Sequence, residues 1–315
     1  MTAMIRVGTR ASALATTQSQ TVATAITGLT GRPTELVGIT THGDTATGSL
    51  ASMGGTGVFV SALRDALLDG RIDVAVHSLK DIPTTPVEGI DLVATPLRED
   101  PRDALVARDG LTLGELPVGS RVGTGSPRRV AQLQALGLGL ELVEIRGNVD
   151  TRIGKVRSGE LDAVVLARAG LNRLGRTTEI TEVIDPLQIL PAPGQGSLAV
   201  ECRSDDPIRA DLAGLDDANT RACVEAERVV LAELEAGCAA PVGALAEVVE
   251  GEDGTELWIR AVALSPDGTR SVRRSASGSL DDAIGVGRKL AAEMLAEGAT
   301  ELISDQMQES NTQNG

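Results

Sequence analysis

The densest chemistry in the chain lies at Ser78, Lys80 and Asp81, within Gly70-Arg71-Ile72-Asp73-Val74-Ala75-Val76-His77-Ser78-Leu79-Lys80-Asp81-Ile82-Pro83. A hydroxyl, an ammonium and a carboxylate follow directly on an apolar run, Ile72 to Val76, that only Asp73 interrupts. A run so rich in β-branched residues predicts a strand buried on both faces, as in a parallel sheet, and Pro83 stops any regular continuation. The polar groups then sit at the C-terminal edge of a buried strand, where open α/β sheets bind ligands. A carboxylate in that place can pair with a cation, accept N–H bonds or carry protons. Taken alone, the same string also suits a solvated turn, so the choice falls to the rest of the chain.

Arginines form the second constellation. Arg10, Arg128, Arg129, Arg146, Arg152 and Arg173 lie at or just beyond predicted strand ends or helix starts. Arg128 and Arg129 fall in the first turn of a predicted helix, where they oppose its dipole. An anion at that N-terminus, where backbone N–H groups also point, accounts for the pair. Arginine grips carboxylates through two parallel hydrogen bonds. The inferred ligand is a polyanion, bearing carboxylates or phosphates. Cysteine supplies the third feature. Cys202 and Cys223 read as small buried apolar residues. Cys238, between Gly237 and Ala239-Ala240, reads as a reactive or modified thiol. No histidine adjoins it, so a Cys–His nucleophile finds no support.

Composition narrows the classes. At 315 residues the chain implies two or three domains. It has one Phe, one Trp and no Tyr, so its cores are aliphatic and base stacking is disfavoured. A net charge of −15 opposes a broad nucleic-acid surface. No apolar run spans a membrane, and the first ten residues lack a signal-peptide pattern. Three cysteines without a C-x-x-C pair suggest reduced thiols and a cytoplasmic setting. With only two histidines, no metal site is expected.

The elements that position these residues are predicted as an α/β pattern written twice. Met4–Thr9 is a strand, the helix after Ser12 runs to Ile26, Leu36–Thr40 is a strand, and Val58–Leu68 is a helix with Phe59, Ala62, Leu63, Ala66 and Leu67 on one face. Thr41–Gly57 is a long polar loop, read as a lid. After Glu99-Asp100-Pro101-Arg102-Asp103 the pattern restarts: Arg121-Val122-Gly123-Thr124 repeats Arg6-Val7-Gly8-Thr9, and Gly159 to Val165 echoes Gly70 to Val76. Two α/β lobes of one plan, with a ligand cleft between them, follow from the repeat. Ser197–Glu201 is expected to return to the first lobe, giving two crossings and a hinge. Beyond a helix from Asp216 to Glu235, hairpin turn signals separate strands near 244–250, 257–264 and 271–277, and a helix closes the domain. The expected division is 1–98 with 197–215, then 99–196, then an α+β domain of a three-stranded sheet with helices over 216–304, and a disordered tail from 305 to 315.

Val76 to Pro83, Arg98-Glu99-Asp100-Pro101-Arg102-Asp103, Gly123-Thr124-Gly125-Ser126-Pro127-Arg128-Arg129 and Arg146-Gly147-Asn148-Val149-Asp150-Thr151-Arg152 closely resemble the porphobilinogen deaminase (hydroxymethylbilane synthase) family. Gln195-Gly196, Glu201-Cys202-Arg203 and the Gly237-Cys238 loop match it too, so the likeness runs from about Ile5 to Ile303. It implies two binding-protein-like lobes and a third domain. It implies a transferase of porphyrin and haem biosynthesis that adds four porphobilinogen molecules to a dipyrromethane cofactor and releases hydroxymethylbilane by hydrolysis. The thioether to that cofactor falls on Cys238 and the catalytic carboxylate on Asp81. Cofactor contacts fall on Ser78, Lys80, Asp81, Arg128, Arg129, Arg146 and Gly147, and substrate contacts on Arg10, Ser12, Gln18, Arg146, Arg152 and Arg173. A monomer is expected, with its product passed to a uroporphyrinogen III synthase. Many relatives carry lysines where Thr56 and Ser61 stand here, and no role is assigned to either. A two-lobed solute-binding protein and a Cys-dependent acyltransferase remain as rival readings, and only the deaminase carries a covalent dipyrrole.

Overall fold

Short Val-, Ile- and Ala-rich strings alternate with helices through the first two thirds of the chain. In the computed structural model, which describes residues 4–40, 57–236, 240–251 and 254–303, they build two five-stranded sheets. The first holds β1 (Ile5–Thr9), β2 (Thr34–Gly38), β3 (Val74–Ser78), β4 (Ile90–Ala94) and the returning β10 (Leu198–Arg203). Their order is β2-β1-β3-β10-β4. The second holds β5 (Asp103–Ala107), β6 (Arg121–Thr124), β7 (Glu141–Glu144), β8 (Ala163–Ala167) and β9 (Glu182–Val183), in the order β7-β6-β8-β5-β9. The two orders are one plan: β5 takes in the second sheet the antiparallel place that β10, returning along the chain, takes in the first.

The echoed strings are the matching centres of these sheets. Asp73 N–H donates to Arg6 O at 2.9 Å while Arg6 N–H donates to the Asp73 carboxylate at 2.9 Å. Asp162 and Arg121 repeat both bonds, at 2.9 and 2.7 Å. A Cβ on Gly8 would collide with Ile72 Cδ1, and one on Gly123 would lie 2.6 Å from Leu161 Cδ1. Each apolar side chain therefore needs a glycine opposite it. Asp73 is bound to Arg6 rather than extending the strand, so β3 begins two residues later than expected and ends on Ser78.

The sheets are mixed, not parallel as the buried run suggested. β3 is parallel to β1 but antiparallel to β10. Both faces are nevertheless covered. In the first sheet α1 (Ala13–Thr30) and α6 (Ile208–Leu212) pack Val22, Ile26 and Leu212 on one face, while α2 (Gly57–Leu68) packs Leu63, Ala66 and Leu67 on the other. In the second, α3 (Pro127–Ala135) covers one face with Leu133. There α4 (Val149–Arg157) and the unexpected short α5 (Arg168–Arg173) cover the other with Ile153, Val156 and Leu171.

The C-terminal domain is an antiparallel meander of β11 (Val242–Gly251), β12 (Gly254–Leu264) and β13 (Ser271–Ser279). Helices α7 (Ala218–Glu233) and α8 (Ala283–Ala296) bury Val230, Leu290 and Met294 against one of its faces. Part of its other face, Leu245, Val262 and Leu264, packs with Ala131 of α3 and Leu190. Glu227, fully buried on α7, accepts bonds from Gly194 N–H at 2.6 Å and Ala246 N–H at 2.8 Å. By contact density the chain divides into two units, Met1–Glu99 with Gly196–Arg221, and Asp100–Gln195 with Ala222–Gly315. No described helix is long and apolar enough to cross a membrane.

Candidate functional site

At the end of β3, Leu79 N–H bonds Ser197 O on β10's leading side at 3.0 Å, and the chain turns through a short 3-10 helix, Leu79–Asp81. Leu79 is fully buried and anchors the turn, while Lys80 and Asp81 are left half-buried. The apolar residue thus sinks so that the ammonium and carboxylate stay at the edge. Among the described residues, the Asp81 carboxylate has no hydrogen-bond or ion-pair partner. Ser78 is held by Gln18, a buried residue of α1 whose Nε2 donates to Ser78 Oγ at 3.0 Å. Ser12 caps α1, its Oγ accepting from Ala15 N–H at 3.3 Å, and the half-buried Arg10 lies between β1 and that cap.

Beneath this turn lies a buried ionic group that the sequence reading missed. Glu201 on β10 accepts from Arg64 Nη2 through Oε1 at 2.6 Å and from Nε through Oε2 at 3.1 Å, and His77 Nε2 lies 3.3 Å from that same Oε2. Burial alone would raise the Glu201 carboxyl, but the nearby His77 and the bonds from Arg64 outweigh it and bring it down to about 2. A glutamate of β10 held charged at neutral pH therefore lies against His77 of β3, one residue before Ser78.

The second lobe repeats the backbone and changes the charges. Arg168 N–H bonds Arg102 O at 3.0 Å, as Leu79 N–H bonds Ser197 O. The residue after the strand is now an arginine, paired with Asp100 at 2.5 Å. Asp103, at the head of β5 opposite Ala167, is fully buried. It accepts from Arg128 Nη2 at 2.8 Å, Arg129 Nη2 at 2.7 Å and Gln195 Nε2 at 2.7 Å. Arg128 also donates to Leu190 O at 2.5 Å and Arg129 to Val165 O at 2.9 Å. Burial opposes the charge on Asp103, yet the two guanidiniums and Gln195 hold its carboxyl far below the usual range.

The arginine pair already meets one anion within the chain. The anion that meets Arg128 and Arg129 at the head of α3 is the chain's own Asp103, and both side chains are almost fully buried. Two guanidiniums against one carboxylate still leave the cluster one charge positive. That excess is felt by Arg152: burial, then repulsion from Arg129, lowers its pKa. Arg152 is oriented by its Nε bond to Gly147 O at 2.8 Å. Gly147 has φ 103°, and a Cβ there would lie 2.9 Å from Thr151 Cγ2, so the turn requires glycine. Asn148 caps α4, accepting from Thr151 N–H at 2.8 Å. Arg146 is exposed, 3.5 Å from Glu144, and Arg173 ends α5 half-buried. The structure thus brings Arg128, Arg129 and Arg152 together with Asp103, and separately joins Ser78 to Gln18.

Cys238 and Thr56 lie outside the described residues, as does all of the expected lid over 41–57 except Gly57, which opens α2. Ser61 is on α2. Cys202 and Cys223 are buried, and the Cys202 thiol is raised to about 11 by burial and by Asp206 and Asp91, as befits an inert apolar residue. Asp103, Gln195, Arg168 and the Glu201 group had no assigned role. Their one sequence signal is an acid opening an apolar strand, Asp103-Ala104-Leu105-Val106-Ala107.

Proteins of known family resemble this chain along nearly its whole length. The family model described as porphobilinogen deaminase, dipyromethane cofactor binding domain, matches residues 5–210, and that described as porphobilinogen deaminase, C-terminal domain, matches 221–296. Porphobilinogen deaminase of Nocardia farcinica is 58% identical over 305 residues, covering 95% of this chain and 88% of that one. Porphobilinogen deaminase 1 of Streptomyces coelicolor is 57% identical over 314 residues, covering 96% and 98%. Among solved structures, the chain is similar to the methionine binding protein MetQ, with TM-score 0.42 and 14% identity over 67% of this chain and 89% of that one. With identity this high along nearly the whole of both curated chains, the chain belongs to the porphobilinogen deaminase family.

Proposed function

We propose that the chain is a hydroxymethylbilane synthase: it deaminates and joins four porphobilinogen molecules on a dipyrromethane bound through a thioether to Cys238, then releases the linear tetrapyrrole by hydrolysis. The observation that carries this reading is a cationic cluster of net positive charge around the buried Arg128 and Arg129, with Arg152; the strand-end carboxylate Asp81, which has no partner among the described residues, supports it separately. Each pyrrole of the substrate bears an acetate and a propionate, so every ring brings two negative charges. An acidic protein of net charge −15 needs such a local cationic edge to hold them.

The residues present fit a dipyrromethane. Its ring carboxylates suit Arg128, Arg129 and Arg146, with Gly147, because among the described residues the cluster lacks one counter-charge; Ser78 and Lys80 are proposed as further contacts. When bound, the group supplies an electron-rich pyrrole carbon from which the product grows. Arg10, Ser12, Gln18, Arg146, Arg152 and Arg173 are the contacts proposed for incoming substrate carboxylates. Loss of ammonia breaks the aminomethyl C–N bond, the nitrogen leaves with the electron pair, and positive charge spreads over the substrate ring. Asp81, fixed at its turn by buried Leu79, stabilises that charge, accepts pyrrole N–H bonds and carries the ring proton released afterwards. The chemistry suits a monomer of the cytoplasm whose unstable linear product passes to a cyclising uroporphyrinogen III synthase.

Intact mass of the purified protein tests the reading. Wild type, Cys202→Ser and Cys223→Ser should each carry one dipyrrole, and Cys238→Ser none. A bare wild-type mass, or a loaded Cys238→Ser protein, overturns it.

A further inference from the structure

We propose that Asp103, braced by Gln195, is a positioning residue that fixes the Arg128 and Arg129 guanidiniums in the arrangement that receives ring carboxylates. This rests on the deaminase reading above. Asp103 gives one oxygen to each arginine, Oδ2 to Arg128 at 2.8 Å and Oδ1 to Arg129 at 2.7 Å, so the carboxylate acts as a spacer between two like charges. Gln195 Nε2 locks the spacer, donating to Asp103 Oδ1 at 2.7 Å and to Pro101 O at 2.7 Å. The backbone carbonyls Leu190 O and Val165 O take one further N–H from each guanidinium. Every acceptor in this set is either a fully buried carboxylate or main chain, so neither guanidinium can turn without losing a bond. Arg129 in turn raises the local positive potential at Arg152, which Gly147 O orients. Moving Asp103 therefore shifts the spacing of the whole cationic edge.

A residue that only neutralised charge would tolerate any carboxylate in its place; a spacer would not. Asp103→Glu keeps the charge and displaces it by about 1 Å, a misplacement able to cost on the order of a hundredfold in a positioned site. Gln195→Leu removes the brace and leaves both arginines and Asp103 intact. Four quantities are read on each purified protein: melting temperature, dipyrrole-loaded fraction by intact mass, and KM and kcat for porphobilinogen on the loaded fraction. Asp103→Glu should remain folded with a reduced loaded fraction, and its KM should rise about tenfold or more while kcat changes little, the signature of lost binding. Gln195→Leu should shift the same quantities in the same direction by about threefold. If Asp103→Glu does not fold, Gln195→Leu decides. Wild-type loading and KM in the folded variants, or a fall in kcat alone, would reduce Asp103 to a buried counter-ion and overturn the proposal. A wild-type protein without dipyrrole would instead sink the deaminase reading itself.

Discussion

Asp81 and Asp103 stand at comparable edges of two sheets with the same strand order, and their surroundings are opposite. Asp103 is fully buried and accepts from Arg128, Arg129 and Gln195. Asp81 is half-buried at a turn anchored by Leu79 and has no partner among the described residues. The position after the central strand is Leu79 in one lobe and Arg168 in the other, though both N–H groups make the same cross-strand bond. One plan thus serves two purposes. In the second lobe a carboxylate is used up in holding cations. In the first, a carboxylate is kept out of ion pairs, and the buried pairing is moved one strand position down to Glu201, Arg64 and His77.

Removing each tied carboxylate should cost stability. Asp103→Ala leaves two buried guanidiniums without a counter-ion, which typically costs about 3–5 kcal/mol. The melting temperature should fall by roughly 10 °C, and an unchanged melting curve would break the contrast with Asp81. The Glu201 effect is pH-dependent with a definite sign. Its folded pKa, about 2, lies below its ordinary 4.5, so its contribution is complete above pH 4.5 and lost as the pH falls toward 2. Glu201→Gln should destabilise the protein at pH 7 by on the order of 3 kcal/mol and flatten the loss of stability across that acid window; denaturant melts at several pH values measure both. Smallest is Gly147→Ala, which places a Cβ at φ 103° beside Thr151 and should cost roughly 1–2 kcal/mol. Because Gly147 O orients Arg152, its KM for porphobilinogen should also rise; an unaltered KM would detach Arg152 from carboxylate recognition.

Local signals carried most of the architecture. The repeat of Arg-Val-Gly-Thr and of Gly-x-x-Asp marked the two sheet centres, because Asp73 and Asp162 must each face an arginine N–H and Gly8 and Gly123 must each admit a large side chain. The strand direction of β5 and β10 was not legible, since a buried apolar run looks alike in parallel and antiparallel pairing. Asp81, Ser78 and Gln18 could be named from motif, and the Gln18–Ser78 bond at 3.0 Å joins two of them. The role of Asp103 was hidden because its partners lie far along the chain, at 128, 129 and 195. Arg128 and Arg129 were legible by their charge, but their internal acceptor Asp103 was not, because sequence spacing cannot show which carboxylate folds onto a helix start.

The central claim is that Asp81, without a partner among the described residues, acts on charge, whereas Asp103 is bound in order to hold charge. Single-turnover ammonia release by cofactor-loaded Asp81→Asn, with porphobilinogen saturating, tests it most directly. Loss of one aligned charge-stabilising group costs about 2.7–4 kcal/mol, or roughly two to three decades in rate at about 1.36 kcal/mol per decade. The account predicts that fall with the dipyrrole still attached and the melting temperature close to wild type, since no described partner loses a bond. Ammonia released at the wild-type rate, or a rate loss explained by unfolding, would contradict it.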